Sequence, residues 1–205
     1  MFKRILTYII TCLLFQSYAF ADDHKSEEGS DFAKYAVNFA LSGFGASGNF
    51  QYNVSKKTSY VFAMGMFNGD APFDPEINGI SYKVSGSTNW VGGFVNHRPV
   101  EGSEWFRLVA GIGMGNIQNE VEDDAGNTYK VNYNENPIGY LGVGFGGEAK
   151  KGFIWGFDLG VLHTARPMIQ KTGGSMDVDE TSQLADSWMF GGLLPNIQLT
   201  LGWGF

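Results

Sequence analysis

The sequence predicts an all-β fold: eight antiparallel strands joined as an up-and-down meander and closed into a transmembrane β-barrel, behind a cleaved signal peptide. Three observations predict it. Bulky apolar residues alternate with small or polar ones at a two-residue period in eight stretches, and no run after residue 21 holds a 3.6-residue period for long. The clean stretches run to about nine to twelve residues, and ten residues rising ~3.3 Å each at a ~40° tilt cover roughly 25 Å, the height of an outer-membrane apolar band; strands of soluble proteins usually stop at about five or six. The small face is rich in glycine, which weakens a water-facing strand but lets the walls of a narrow barrel approach and curve.

The stretches follow in order. The first, 33–43, puts Tyr35, Val37, Phe39 and Leu41 on one face, and the second, 47–55, does the same with Phe50, Tyr52 and Val54. After the polar turn 55–58, the third, 59–68, aligns Tyr60, Phe62, Met64 and Met66. A loop with Pro72, Pro75 and Gly79 leads to the fourth, 80–96, where Tyr82, Val84, Trp90 and Phe94 share the bulky phase and Lys83 falls on the small one. The fifth, 105–118, alternates Phe106, Leu108, Ala110, Ile112 and Met114 with Arg107, Gly111 and Gly113. The sixth, 128–147, settles after Pro137 into Leu141, Val143 and Phe145 against Gly142, Gly144 and Gly146. The seventh, 153–169, sets Phe153, Trp155, Phe157, Leu159 and Val161 against Gly156, Asp158 and Gly160, and the eighth, 194–205, aligns Ile197, Leu199, Leu201, Trp203 and Phe205. Short connections at 55–58, 97–104 and 148–152 alternate with longer ones at 69–79, 119–127 and 170–193, the asymmetry expected of periplasmic turns and outer loops; the 43–47 connection is the short exception. An even number of strands permits antiparallel closure, which pairs every backbone group facing hydrocarbon.

Residues 1–21 read as a signal peptide: Lys3 and Arg4, an apolar run from Ile5 to Phe15, then Ala19-Phe20-Ala21 as a small-residue cleavage site. Residues 22–32 form an acidic, flexible periplasmic leader and 33–205 the barrel domain. Cys12, the one cysteine, lies in the signal, which leaves the exported chain without disulfides, cysteine metal ligands or a cysteine nucleophile.

Composition excludes other classes. Among 205 residues there are 29 glycines, 15% aromatics and only 17% charged residues, which fits neither a helical bundle nor a disordered chain. The 14 basic and 21 acidic residues give a net charge of −7 without a basic cluster, which argues against nucleic acid as a partner.

The ending Gln198-Leu199-Thr200-Leu201-Gly202-Trp203-Gly204-Phe205 resembles the C-terminal strand of bacterial outer-membrane proteins. That resemblance implies that Leu201, Trp203 and Phe205 form the signal read by the barrel-assembly machinery. With the signal peptide and strand count, the chain is similar to small eight-stranded barrels of the OmpA-transmembrane, OmpX and OmpW type, which implies integral residence in the outer membrane after export through the periplasm. No peptidoglycan-binding domain is expected after the barrel.

Catalysis, cofactors and metals are not expected. Three histidines lie beyond the signal, and none has a triad-like setting: His24 falls in the leader, His97 at a strand end, and His163 near the outer edge of the seventh strand. The acidic runs Glu122-Asp123-Asp124 and Asp177-Val178-Asp179-Glu180 lack the glycine and distal glutamate of a calcium loop. Lys83, Arg107, Glu148 and Asp158 all fall on the expected lumen face, where buried charges need partners, and Arg107 is expected to pair with Asp158. Arg166 and Lys171, just beyond the seventh strand, are candidates for contact with lipopolysaccharide phosphates. The expected role is non-enzymatic: a structural barrel or one that meets an unidentified surface partner through its outer loops, within outer-membrane lipid and lipopolysaccharide. The alternatives are a narrow OmpW-like channel for small or hydrophobic molecules and a lipid A-modifying enzyme.

Overall fold

The computed structural model describes residues 31–71, 74–133, 137–175 and 180–205. The expected signal peptide, Cys12, His24, most of the acidic leader, and Asp177 to Asp179 lie outside the described residues. Eleven strands and one short helix are present among the rest: β1 (Tyr35–Ser42), β2 (Gly45–Asn53), β3 (Thr58–Asp70), β4 (Glu76–Ile77), β5 (Ile80–His97), β6 (Phe106–Asp123), β7 (Thr128–Tyr133), β8 (Ile138–Gly146), β9 (Gly152–His163), β10 (Met168–Gly173), α1 (Thr181–Asp186) and β11 (Leu193–Gly204).

Eight strands close on themselves in the order β1, β2, β3, β5, β6, β8, β9, β11, every neighbour antiparallel, with β11 returning to β1 through pairs from Ala36↔Gly204 to Ser42↔Gln198. The turns at one end match the three short connections expected from the sequence. Closure matters physically because the outer wall is apolar: Phe39, Leu41, Phe62, Met64, Ile112, Met114, Trp155, Leu199 and Leu201 all point outward and are exposed. Edge groups left open beside such a surface have neither water nor a neighbour to bond.

The strands differ in height, and this departs from the sequence reading. β5 and β6 have 18 residues each, about 60 Å of extended chain, roughly twice what an apolar band ~25 Å tall requires at the usual tilt. Along β6 the apolar phase reverses. Leu108, Ile112 and Met114 point outward, whereas beyond them Asn116, Gln118, Glu120 and Glu122 take the outward positions and Ile117 and Val121 point inward. β5 reverses at the same level: Val91 faces out, but Asn89, Ser87, Ser85 and Lys83 follow it on that face while Val84 and Tyr82 turn in.

Above the reversal the outer ends form a small cap built like a water-soluble sheet. The sixth expected strand is in fact two: β8 pairs with the lower half of β6 and β7 with its upper half, from Ile117↔Tyr133 to Glu122↔Thr128. β10 adds to β7, and the two-residue β4 adds to β5 through an Asn78-Gly79 turn in which both residues have positive φ, 53° and 82°. The cap core contains Tyr82, Val84, Ile117, Val121, Tyr129 and Val131, closed over by Leu184 of α1 and by Phe190 and Leu194. The Tyr82 hydroxyl donates to the Glu180 carboxylate just before α1; burial first, and then this partner, push the tyrosine pKa upward. The 170–193 connection, expected to be a loop, therefore holds β10 and α1.

One side of the ring stays low. The β1–β2 hairpin stops at Ser42 and Gly45, while β11 continues outward to Leu193, paired there only with β9, and β3 continues to Asp70, paired only with β5. Pro195 sits on that one-sided stretch of β11, where its missing N–H breaks no ladder on the open side. The turn itself leans inward, and the Phe44 carbonyl accepts from Thr88 Oγ1 (2.8 Å) and Trp90 Nε1 (3.3 Å).

Leu184→Ala removes a fully buried side chain from the cap core and is expected to cost ~2–5 kcal/mol there. Hydrogen exchange should show faster exchange of β7 and β10 amides with β1, β2 and β11 unchanged; uniform loosening of the ring would contradict an independently packed cap.

Candidate functional site inside the strand ring

The inward face of the ring carries three polar features. The first is the ion pair expected from the sequence. Arg107 on β6, Gly144 on β8 and Asp158 on β9 are in register across three adjacent strands. Arg107 reaches over β8, and its Nη2 donates to both carboxylate oxygens of Asp158 at 2.8 Å. Gly144 makes this crossing feasible: a Cβ there would lie 2.2 Å from Asp158 Oδ1 and 2.7 Å from Arg107 Nε. Arg107 Nη1 completes the arrangement by donating to the carbonyls of Phe145 and Gly146.

Arg98 is the second feature, and the sequence reading placed it merely in a turn. Its side chain turns back into the ring end and is 1% exposed. Nε donates to the Glu104 carbonyl (3.0 Å), Nη1 to the Lys56 carbonyl (3.3 Å) and Ser59 Oγ (3.4 Å), and Nη2 to the Gly147 carbonyl. Burial first, and then the neighbouring Arg107 charge, lower its pKa to about 10, so it stays charged at neutral pH. Three turns are thereby tied to one guanidinium, closing this end of the ring.

The third feature is a carboxamide chain on β1 and β2. Asn38 Nδ2 donates to Gln51 Oε1 (3.3 Å), Gln51 Nε2 to Asn53 Oδ1 (2.7 Å), and Asn53 Nδ2 to the Ala33 carbonyl (2.6 Å). Facing it are Trp90, Phe94 and Tyr140, in edge-to-face contacts with ring centroids 6.4 and 5.7 Å apart. A cavity of about 120 Å³ lies inside the ring, lined by residues of both walls and by Arg107 and Asp158.

Of the four residues expected to form a lumen cluster, Arg107 and Asp158 do so and two do not. Lys83 lies above the phase reversal and points outward, exposed, opposite Glu122 of β6. Its assignment failed because Tyr82 and Val84 were expected to face out; they pack into the cap core instead. Trp90 and Phe94 fail the same expectation and line the interior. Glu148 remains in the β8–β9 turn, where it binds Lys150 Nζ at 2.7 Å. The buried cation that accompanies the pair is Arg98, signalled in the sequence only by its position between His97 and Pro99.

The other expected sites are placed as follows. Leu201 and Trp203 point outward on β11, Phe205 just past its end is exposed as well, and the Phe205 backbone exchanges hydrogen bonds with Tyr35 (2.8 and 3.1 Å). Arg166 forms an exposed ion pair with Asp186 at 2.9 Å, and Lys171 lies 5.6 Å from the Tyr129 ring and donates to the Ser175 carbonyl. His97 Nδ1 meets Thr58 Oγ1 at 3.1 Å, while His163 is half-buried at the outer end of β9. Asp123, in the expected acidic hairpin tip, is satisfied within the turn. Desolvation raises its pKa, but hydrogen bonds from Asn127 and Ala125 outweigh this and hold it below the usual value. Among the described residues no group of three or more histidine, cysteine or carboxylate side chains could hold a metal ion.

No family model matches the chain, and no curated protein matches it in sequence. Solved structures do match in fold. A crystal structure of Acinetobacter baumannii CarO aligns with a TM-score of 0.66 at 16% identity, over 84% of this chain and 98% of that one. A. baumannii CarO2 aligns at 0.67 and 14%, over 85% and 99%. A major outer membrane protein from Thermus thermophilus aligns at 0.47 and 11%, over 84% and 99%. At these identities the likeness to CarO establishes the fold alone, an antiparallel β architecture shared with outer-membrane β-barrels.

Arg107→Ala leaves Asp158 buried without its partner and is expected to destabilise the protein by ~3–5 kcal/mol, read from unfolding midpoints in detergent. The paired Arg107→Leu, Asp158→Leu variant should lose clearly less. Equal losses would show that the two charges are not coupled.

Proposed function

We propose that this chain is an integral outer-membrane β-barrel that is closed to ions and serves a structural or surface-interaction role through its outer cap. The observation that carries this reading is the exposed apolar band on a closed ring, ended by the phase reversal on β5 and β6. Below the reversal the wall suits lipid; above it the wall suits water. The likeness in fold to CarO supports the same location.

Closure is supported at both ends. Arg98 and the Arg107–Asp158 pair fill the end with the short turns, while the cap core and the inward-leaning Phe44 turn fill the other. The alternative, a narrow OmpW-like channel, draws on the interior cavity, but the same two closures oppose it. A non-catalytic role, export behind the signal segment, and assembly through Leu201, Trp203 and Phe205 belong to the same proposal. So does a lipopolysaccharide contact by Arg166 and Lys171, which requires Arg166 to exchange its partner Asp186 for phosphate.

Planar-bilayer recording of the purified protein tests the proposal. Wild-type protein should give no reproducible unit conductance, and an Arg98→Ala, Arg107→Ala, Asp158→Ala variant that still migrates as a folded, heat-modifiable species should give intermittent openings. Steady unit conductance from the wild type would contradict the closed reading and favour a channel.

A further inference from the structure

The carboxamide chain inside the ring has a direction that its own chemistry fixes. It ends on the Ala33 backbone carbonyl, which can only accept, so Asn53 must turn its Nδ2 toward it. Asn53 Oδ1 then accepts from Gln51, and Gln51 Oε1 accepts from Asn38. Every donor points one way, and the terminal Asn38 Oδ1 is left as an acceptor strengthened by the chain behind it. It has no partner among the described residues, and neither does Oδ1 of Asn49, the cross-strand partner of Asn38. Both asparagines are more than nine-tenths buried and line the interior cavity. Gly202 leaves the first oxygen its space, because a Cβ there would lie 1.9 Å from Asn38 Oδ1. The Asn38 oxygen, held by the directed chain and by the space at Gly202, and the Asn49 oxygen across from it are costly unless something donates to them.

The surroundings select the donor. Among the described residues lining the cavity only Arg107 and Asp158 are charged, and they neutralise each other, so the site offers no net charge to hold a cation. The two acceptor oxygens disfavour an anion. Arg107 lines the same cavity, and its Nε–H, unpartnered among the described residues, adds a demand for an acceptor such as a carbonyl oxygen. N–H donors combined with a carbonyl in one neutral group describe an amide. Opposite the asparagines, Trp90, Phe94 and Tyr140 offer flat apolar surface. A cavity of about 120 Å³ approaches the ~150 Å³ known to admit benzene.

We propose that the interior of the ring is a binding site for a small neutral carboxamide with a flat apolar body, its N–H groups held by Asn38 Oδ1 and Asn49 Oδ1 and its body against Trp90, Phe94 and Tyr140. This goes beyond the membrane role and needs no conduction; the molecule enters when the Phe44 turn opens or while the chain folds.

Three probes of one shape and different charge test it: benzamide, benzoate and benzylamine. Each is supplied to the detergent-solubilised protein both during and after refolding, and binding is measured by ligand-observed NMR. Benzamide should bind at least about tenfold more tightly than the two charged probes, and should shift the side-chain amide signals of Asn38 and Asn49. Asn49→Leu should weaken benzamide about tenfold, whereas the outward-facing control Asn89→Leu should not, with folded migration on gels confirming both rings. Should Asn49→Leu fail to fold, Asn49→Ser takes its place. No benzamide binding under either condition, equal binding of all three probes, preference for a charged probe, or indifference to the Asn49 change would each overturn the proposal.

Discussion

Pairing of backbone groups beside an apolar surface is the constraint on which this structure depends. A strand whose outward side chains are phenylalanine, methionine and leucine has no water at its edge to take up an open N–H or C=O. The first strand must therefore meet the last, and the Tyr35–Phe205 backbone bonds are where it does. Closing eight strands draws the inward faces together, and the residues there follow from the lack of room. Glycine at 144 lets one guanidinium cross a strand, and glycine at 202 leaves space for an amide oxygen. The constraint lapses where the outward residues become polar. From that level the strands need not close, and the sheet instead gains β4, β7 and β10 and buries its apolar side as a soluble sheet does.

Much of this was legible in the sequence, for a physical reason: a period of two assigns faces without knowledge of the partner strand. Phase alone puts Arg107 and Asp158 on the inner face; that Gly144 lies between them depends on strand register, which phase does not give. The same rule misplaced Lys83, Tyr82, Trp90 and Phe94, because it assumed that bulky side chains face one way along the whole of β5. Tyr82 and Val84 face inward as a cap core, and Trp90 and Phe94 as an interior aromatic wall, so one phase served two purposes. The Asn78-Gly79 dipeptide was a readable signal for the β4–β5 turn. The six-residue α1 and the inward turn of Arg98 depend on tertiary contacts, and local pattern carries no trace of either.

The interior holds a set of fixed charges and dipoles. Arg98 has carbonyl and hydroxyl oxygens around it but, among the described residues, no carboxylate within hydrogen-bond reach, and Arg107 has Asp158. Burial first, and then the nearby Arg107 charge, lower the Arg98 pKa without removing its charge. Such groups are held by the turns they tie together, so closure of this end and the order of its turns are one property.

The phase reversal on β6 is where the account is most directly exposed to measurement. Spin labels placed singly from residue 106 to residue 122 in the bilayer-reconstituted protein report contact with lipid through oxygen and with water through a nickel chelate. Oxygen contact is expected at 108, 112 and 114, chelate contact at 116, 118, 120 and 122, and protection from both at 117 and 121. Chelate contact at 112 and 114, or one unbroken phase of lipid contact along the whole strand, would contradict it.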